Sequence, residues 1–440
     1  MHGSDDVHAS APSGGSRRPR GRRTRSPLPP GFGPLWTTVA VDLIGFGIVF
    51  PILPRYAEDL DISPSVIGVV VASFSLAQLI FSPILGRLSD RYGRKPVLIV
   101  SLCGTAVGSV ITGVAGSVWL LLLGRLLDGA SGASVSVAQA AVADVAPPED
   151  RPRLFGLLGA AFGVGFVLGP AIATLAALGG PHIPFFIAAL LASVNAVVAL
   201  RRLPETHPRL TGAAAVTGAA GSAGPAGRSI AEDEHVSVAG LEPDANPIGG
   251  VLSSLAGPVV RLMGVSFIAL VAFSGFEGTF SLLVKDRFGL SLSATGAVFT
   301  VIGLALVLVQ VGLIHAASVR LGESGTLRAG LVANLAGLLL LAVDGGWVTL
   351  VPALALLVVG QGLVTPTMSS AIAGRVPADQ RGRVLGFQQS AGSLARVAGP
   401  ALAGLLYERP GEPAPYLVAA VLVGAAVTLV PARQAWHSVS

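Results

Sequence analysis

The chain has 440 residues, 52% of them hydrophobic and 12% charged, with a net charge of +5 that is almost entirely an arginine excess. A soluble domain carries about a quarter charged residues, so this chain lacks the polar surface to cover itself in water. Its mean hydropathy of +0.73 and its continuous apolar runs, near the roughly 20 residues that cross a bilayer, indicate an all-α polytopic membrane protein and argue against a β-barrel, whose segments alternate.

In chain order, residues 1–33 are polar and hold Arg17, Arg18, Arg20, Arg22, Arg23 and Arg25. They read as a disordered basic cytoplasmic tail with no cleavable signal. Topology alone accounts for these arginines; contact with anionic lipid is the alternative. Helices are expected near 34–54, 64–86, 96–116, 118–142, 154–178 and 183–200, forming a first bundle over 34–206. Between the second and third lies the stretch from Gly86 to Leu98, with Arg87, Asp90, Arg91, Gly93, Arg94 and Lys95. It reads as a short charged turn kept on the cytoplasmic side, reversed by its glycines and locked by Asp90 with Arg94. Residues 207–255 are rich in Ala, Gly and Ser and read as a flexible cytoplasmic linker. Six more helices are expected near 259–282, 293–316, 325–343, 347–371, 384–407 and 414–431, forming a second bundle over 256–440.

The basic residues test this count. With the N-terminus inside, 23 fall in inside segments and 4 outside (Arg55, Lys285, Arg287 and Arg409), while Arg125 and Arg396 lie within helices. That bias supports twelve spans in the cell membrane with both termini cytoplasmic. The same arginine excess would suggest nucleic acid in a soluble protein; here it records orientation, and no nucleic-acid partner is expected. Cys103 is the lone cysteine, so it makes neither an internal disulfide nor a zinc site and reads as a packing thiol.

An internal repeat relates the halves. Pro147, Arg151, Arg153, Gly156, Gly169 and Pro170 recur 230 residues later as Pro377, Arg381, Arg383, Gly386, Gly399 and Pro400. Two parallel six-helix halves are a recurring transporter plan, with the substrate site between them near mid-membrane. A shift of about 229 brings Gly93 onto Gly322 but Asp90 onto Val319. The second half is therefore expected to keep the turn and lose the lock.

The 86–98 stretch resembles the signature loop of the major facilitator superfamily. Residues Asp42 to Pro54 resemble the helix 1 motif of its twelve-helix drug–proton antiporters. Leu123-Gly124-Arg125 through Gly132 resembles their helix 4 motif, and Gly165-Phe166-Val167-Leu168-Gly169-Pro170 their antiporter helix 5 motif. Residues 1–206 look most like tetracycline-efflux and related multidrug proteins, with Leu203-Pro204-Glu205-Thr206 also fitting. The resemblance implies a monomeric secondary transporter that exports small amphipathic drugs or metabolites in exchange for protons. It implies no enzyme activity and no cofactor beyond the coupling proton. Uptake or facilitated movement of a nutrient is the alternative within this fold. A polytopic sensor or membrane enzyme is the alternative outside it, but no folded extramembrane module or nucleophile with an acid/base pair is evident.

Five charges lie deep in apolar segments: Asp42, Arg125, Asp128, Glu277 and Arg396. Each is costly in hydrocarbon and should face a cavity or a partner. On a continuous fourth helix at 100° per residue, Arg125, Asp128, Gly132, Ser136 and Gln139 share an arc of about 60–80°, and Arg125 and Asp128 can pair at i,i+3. Either this stripe lines a cavity or the pair only fixes packing. Related antiporters usually have a neutral residue where Asp128 stands. The resemblance places Asp42 close to this stripe, as a proton or substrate group; orienting the Gly45/Gly47 backbone is the alternative. Glu277 has Phe273 and Phe280 nearby and suits a cationic ligand or a proton, unless it snorkels to water. Gln389, Gly392, Arg396 and Gly399 share a face of the eleventh helix, where Arg396 suits an anionic group or holds a carboxylate; a structural charge near a helix kink at Pro400 is the alternative. Gly165, Gly169 and Pro170 suit a surface on which the halves rock; plain small-residue packing is the alternative. Asp90, Arg91 and Arg94, with Gly86, Gly93 and Asp144, are expected to hold an outward-open state. No phosphate-binding Gly-Lys-Ser/Thr loop or metal-ligand spacing is present, so ATP drive and a bound metal are not expected.

Overall fold

The computed structural model describes residues 28–132, 134–145, 151–207, 257–376 and 381–430. Nearly all of the predicted tail and linker therefore lies outside the described residues. Among the described residues the fold is helical throughout. In the first half the helices are α1 (Phe32–Val49), α2 (Leu53–Glu58), α3 (Pro64–Tyr92), α4 (Arg94–Gly113), α5 (Val118–Ser131), α6 (Ser134–Val145), α7 (Arg151–Ala177) and α8 (Ile183–Arg202). The second half holds α9 (Gly257–Phe288), α10 (Leu292–Leu308), a π-helical turn (Val309–Leu313), α11 (Ile314–Ala342), α12 (Trp347–Ala373), α13 (Arg381–Glu408) and α14 (Ala414–Leu429).

Several expected single helices are interrupted for identifiable reasons. Pro51 has no N–H to continue α1, and the chain restarts as α2 with a proline in its first turn. Gly132, at φ −75° and ψ 45°, ends α5 before α6 begins. The expected loop at 317–324 is instead helical and breaks at Gly322, whose φ of 70° and ψ of 175° suit glycine. The expected turn at 86–98 is also mostly helix. Gly86 lies inside α3, and the reversal is made by Gly93 alone, at φ 102°. Length and apolarity mark nine stretches of the described residues as able to cross a membrane. One of these, 51 residues long, is α10 to α11 with the Gly322 break inside it.

The ends of the bundle differ. We call the end with Gly93 the turn end and the other the far end. Within the first half, α1 packs on α7 and α8, and α4 on α5 and α8; within the second, α9 packs on α13 and α14, and α11 on α12 and α14. The halves meet through α3 with α13 and α7 with α10. One apolar core fuses both halves: Ile52, Leu53 and Ile67 join Phe280, Leu283 and Tyr416 there. A separate core, with Phe32, Val39, Leu98, Leu102, Leu158 and Leu203, belongs to the first half alone and fills its turn end. Hydrophobic burial therefore ties the halves together toward the far end and not through this second core.

Candidate functional site

The first-half charges form one buried cluster. The Ser134 hydroxyl at the start of α6 donates to the Asp42 carboxylate on α1. On α5, Arg125 Nη1 donates to Asp128 Oδ2 at 2.7 Å, and Thr105 of α4 also bonds Asp128. Arg125 is 2% exposed, and its guanidinium stands 4.5 Å from the centroid of the Phe74 ring. The Asp42 and Asp128 charges act on each other. Glycines make this crowding possible: a Cβ added at Gly108 of α4 would lie 2.9 Å from the Asp128 Cβ, and one at Gly129 would strike the Phe74 backbone. The predicted polar arc does not continue past this point. Gly132 ends the helix, and Gln139 on α6 is exposed.

The second-half charges are arranged otherwise. Glu277 on α9 and Arg396 on α13 are half-buried and interact electrostatically, but lie beyond ion-pair contact. Among the described residues neither side chain makes a hydrogen bond. The helix register explains their proximity. Gly392 faces Leu270, Ser274 Oγ donates to the Ala395 carbonyl at 3.1 Å, and Gly278 meets Pro400. Along α9, Ser266, Leu270, Phe273 and Glu277 are partly accessible, whereas every residue from Gly278 to Val284 is buried. Glu277 thus stands where the accessible stripe stops. Gln389 is exposed, and its backbone carbonyl accepts from Ser393 Oγ.

Aromatic rings lie beside each charge group. Phe46 stacks on Phe50 at 5.2 Å and meets Phe74, tilted, at 5.4 Å. Phe273, Phe276 and Phe280 follow one another at 5.8 and 5.0 Å.

At the turn end, Arg94 is the hub. Its Nη1 donates to Asp90 at 2.6 Å and to Ser89 Oγ at 3.1 Å, and its Nε donates to Asp144 at 2.8 Å. Gly86 and Arg91 take no part: a Cβ at Gly86 would meet open space, and Arg91 lies exposed against the Tyr92 ring. All three bonds stay within the first half, and they are present while the far end is closed. Glu205, just after α8, completes the hub. Burial opposes ionisation of its carboxyl, but backbone N–H donors from His207, Arg94, Lys95 and Thr206 outweigh that and hold it below the usual carboxylate range.

The lock is not confined to the first half, contrary to expectation. Glu323, next to Gly322, accepts from Ser370 Oγ at 2.8 Å and pairs with Arg375 at 3.5 Å. The second half thus has a clamp of the same plan with its charges exchanged. Comparing Asp90 with Val319 missed it, because the acid moved to the other side of the glycine.

Gly165 and Gly169 also differ from expectation. They pack on Leu43 and Gly47 of α1 within their own half. The faces that cross between halves are Gly303 against the Phe166 carbonyl, Gly296 against Thr174, and Gly68 against Pro400 and Gly404. Pro170 lacks the N–H that would bond the Phe166 carbonyl, which Gly303 approaches. Cys103 is exposed on α4 rather than packed.

The far end carries polar contacts between the halves that sequence reasoning did not assign. Lys285 Nζ of α9 is 2.6 Å from Glu58 Oε1 of α2, and Glu58 also holds Arg55 at 3.0 Å. The Ser65 N–H donates to Glu408 at 3.0 Å. The Arg55/Glu58 spacing was visible as i,i+3, but Lys285 lies more than two hundred residues away.

Comparison with known proteins gives consistent results. The family model described as Major Facilitator Superfamily matches residues 35–323 and again 262–438. The class C tetracycline resistance protein of Escherichia coli is 32% identical over 408 residues, covering 91% of this chain and 96% of that protein. Multidrug resistance protein 2 of Bacillus subtilis (strain 168) is 26% identical, covering 90% and 94%. The solved structure of the human organic anion transporter MFSD10 (TETRAN) superposes with a TM-score of 0.62 at 26% identity, covering 92% of this chain and all of that one. The chain is thus a multi-pass membrane transporter rather than an enzyme, and it belongs to the Major Facilitator Superfamily.

Proposed function

We propose that the protein exports small amphipathic drugs or metabolites across the cell membrane in exchange for protons, by alternating access. The observation that carries this reading is the placement of Asp42 and Glu277. Both are partly accessible carboxylates within the membrane-spanning helices of a bundle whose halves are fused at one end. Such groups are costly in hydrocarbon and mark substrate or proton pathways. With the turn end cytoplasmic, this arrangement corresponds to an inward-open conformer. Substrate enters from the cytoplasm as a carboxylate gives its proton inward. The halves rock, and a proton from outside takes the carboxylate back. Each charge carried across couples to about 2.3 kcal/mol per 100 mV. The tetracycline and multidrug resistance relatives support the substrate class.

The test is substrate accumulation in inverted vesicles with an imposed proton gradient. Wild-type vesicles concentrate tetracycline until the gradient is collapsed. Asp42→Asn combined with Glu277→Gln abolishes the uphill component. Uphill accumulation that survives the double substitution would show the coupling sites to be wrong.

A further inference from the structure

We propose that Glu277 and Arg396 form a two-point binding site for an amphipathic zwitterion, taking its amine on Glu277 and its acidic oxygen on Arg396. This rests on the transport reading above and specifies the substrate class for it.

The argument begins with what each charge already has. Asp128 is bonded to Arg125 and Thr105, and Asp42 to Ser134. Each of these carboxylates has a hydrogen-bond partner in the protein. The side chains of Glu277 and Arg396 have none among the described residues, and they are half-buried and oppositely charged. Truncating or stranding a charge in a low-dielectric site is expensive unless a partner completes it. A direct ion pair would serve, yet the two side chains lie beyond contact distance although their helices touch on both sides of them, at Leu270–Gly392 and Gly278–Pro400.

The register sets the spacing. Arg396 lies one turn beyond Gly392, level with Ser274, and Glu277 stands three residues further along α9. That is about 4.5 Å along the axis between the two backbone positions. The charges themselves lie beyond ion-pair contact, so a ligand that bridges them carries its cation and its anion on separate groups. Phe273, one turn before Glu277 on the accessible stripe, offers a ring face for the apolar body and for the ammonium. The guanidinium takes an acidic oxygen pair in fork geometry, which an ammonium in its place would not.

Exchange logic selects the amine. A ligand cation and a proton compete for the same carboxylate, which gives antiport. An anion on Arg396 alone would instead favour the protonated Glu277 and carry proton and substrate the same way. Only a ligand that also presents a cation to Glu277 reconciles both charges with exchange.

The experiment uses the purified full-length protein at equilibrium, without a gradient, and three probes built on one core. Ciprofloxacin carries both charges, its ethyl ester only the amine, and N-acetylciprofloxacin only the acid. Wild type is expected to bind ciprofloxacin about tenfold more tightly than either blocked form, the size of one charge-assisted hydrogen bond. Glu277→Gln should erase the preference over the N-acetyl form and keep that over the ester; Arg396→Gln should do the reverse. Equal binding of the three probes by wild type, or binding of none, overturns the proposal without reference to any variant. Because no gradient is present, a protein that ranks the probes as expected but fails proton-driven export would refute the exchange reading and leave the site standing.

Discussion

Lys285 Nζ and Glu58 Oε1 stand 2.6 Å apart across the boundary between the two halves, at the end where one apolar core fuses them. The side chains are 32% and 23% exposed, so solvent screens the pair and its strength is modest, about 0.5–1 kcal/mol. That is enough to shift a two-state equilibrium about two- to fivefold. Glu58→Gln should move the population by that factor toward the conformer open at the far end. Accessibility of an introduced far-end cysteine to a membrane-impermeant thiol reagent, in a Cys103→Ala background, measures it. Charge exchange, Glu58→Lys with Lys285→Glu, should return part of the shift. No change in accessibility for Glu58→Gln would show that the apolar core alone sets the closure.

The turn-end cluster ranks its two acids differently. Asp144 is 18% exposed beside Arg94 and Asp90 is 65% exposed. Asp144→Asn should cost about 1–3 kcal/mol of stability, and Asp90→Asn under about 1 kcal/mol, read as thermal unfolding in detergent. Both should lower turnover more than substrate binding, because neither acid lies near the deep charges. A binding loss equal to the turnover loss would argue against a conformational role.

Glu205 gives a pH signature. Its carboxyl is held below the ordinary range in the folded protein. A depressed acid contributes stability that is fully present above its unfolded pKa and is lost as pH falls through the folded value. Glu205→Gln should therefore be less stable than wild type near neutral pH, with the gap narrowing only below about pH 4.5. A gap that is constant down to pH 3 would show that the backbone donors do not favour the ionised form.

Most of the fold was legible from the chain. Apolar runs gave the helices and their order, because lipid leaves a helix few alternatives. The clustering of Arg125 with Asp128 was legible because i,i+3 spacing is local. The turn at Gly322 was legible from its match to Gly93 in the repeat, but the breaks at Pro51 and Gly132 were not placed, since glycine and proline are common inside membrane helices and only packing decides which ones interrupt the ladder. Glu58–Lys285 and Glu323–Arg375 were out of reach for a different reason. Each joins residues distant in sequence or shifted between the repeats, and no local pattern encodes such a pair.

The close approaches between halves give a further prediction. A Cβ added at Gly68 would strike the Pro400 carbonyl, and one at Gly303 the Phe166 carbonyl, whereas Gly264 faces open space. Gly68→Val or Gly303→Val should cost about 1–3 kcal/mol and slow exchange while leaving equilibrium binding near wild type. Gly264→Ala is the control. Unchanged exchange in Gly68→Val would mean that the interface loosens without consequence.

These contacts have a wider meaning. Gly68 meets Gly404, and Gly296 meets Thr174, which occupies the place 230 residues before Gly404. The two close approaches between the halves are thus near copies, and each is made mainly of bare main chain. Peptide geometry cannot be retuned by exchanging side chains. If the halves rock as proposed, this pivot is a fixed part, while the charges proposed to meet cargo and proton at Asp42, Glu277 and Arg396 are exchangeable fittings. Under that proposal, cargo preference can drift without resetting the motion that carries the cargo.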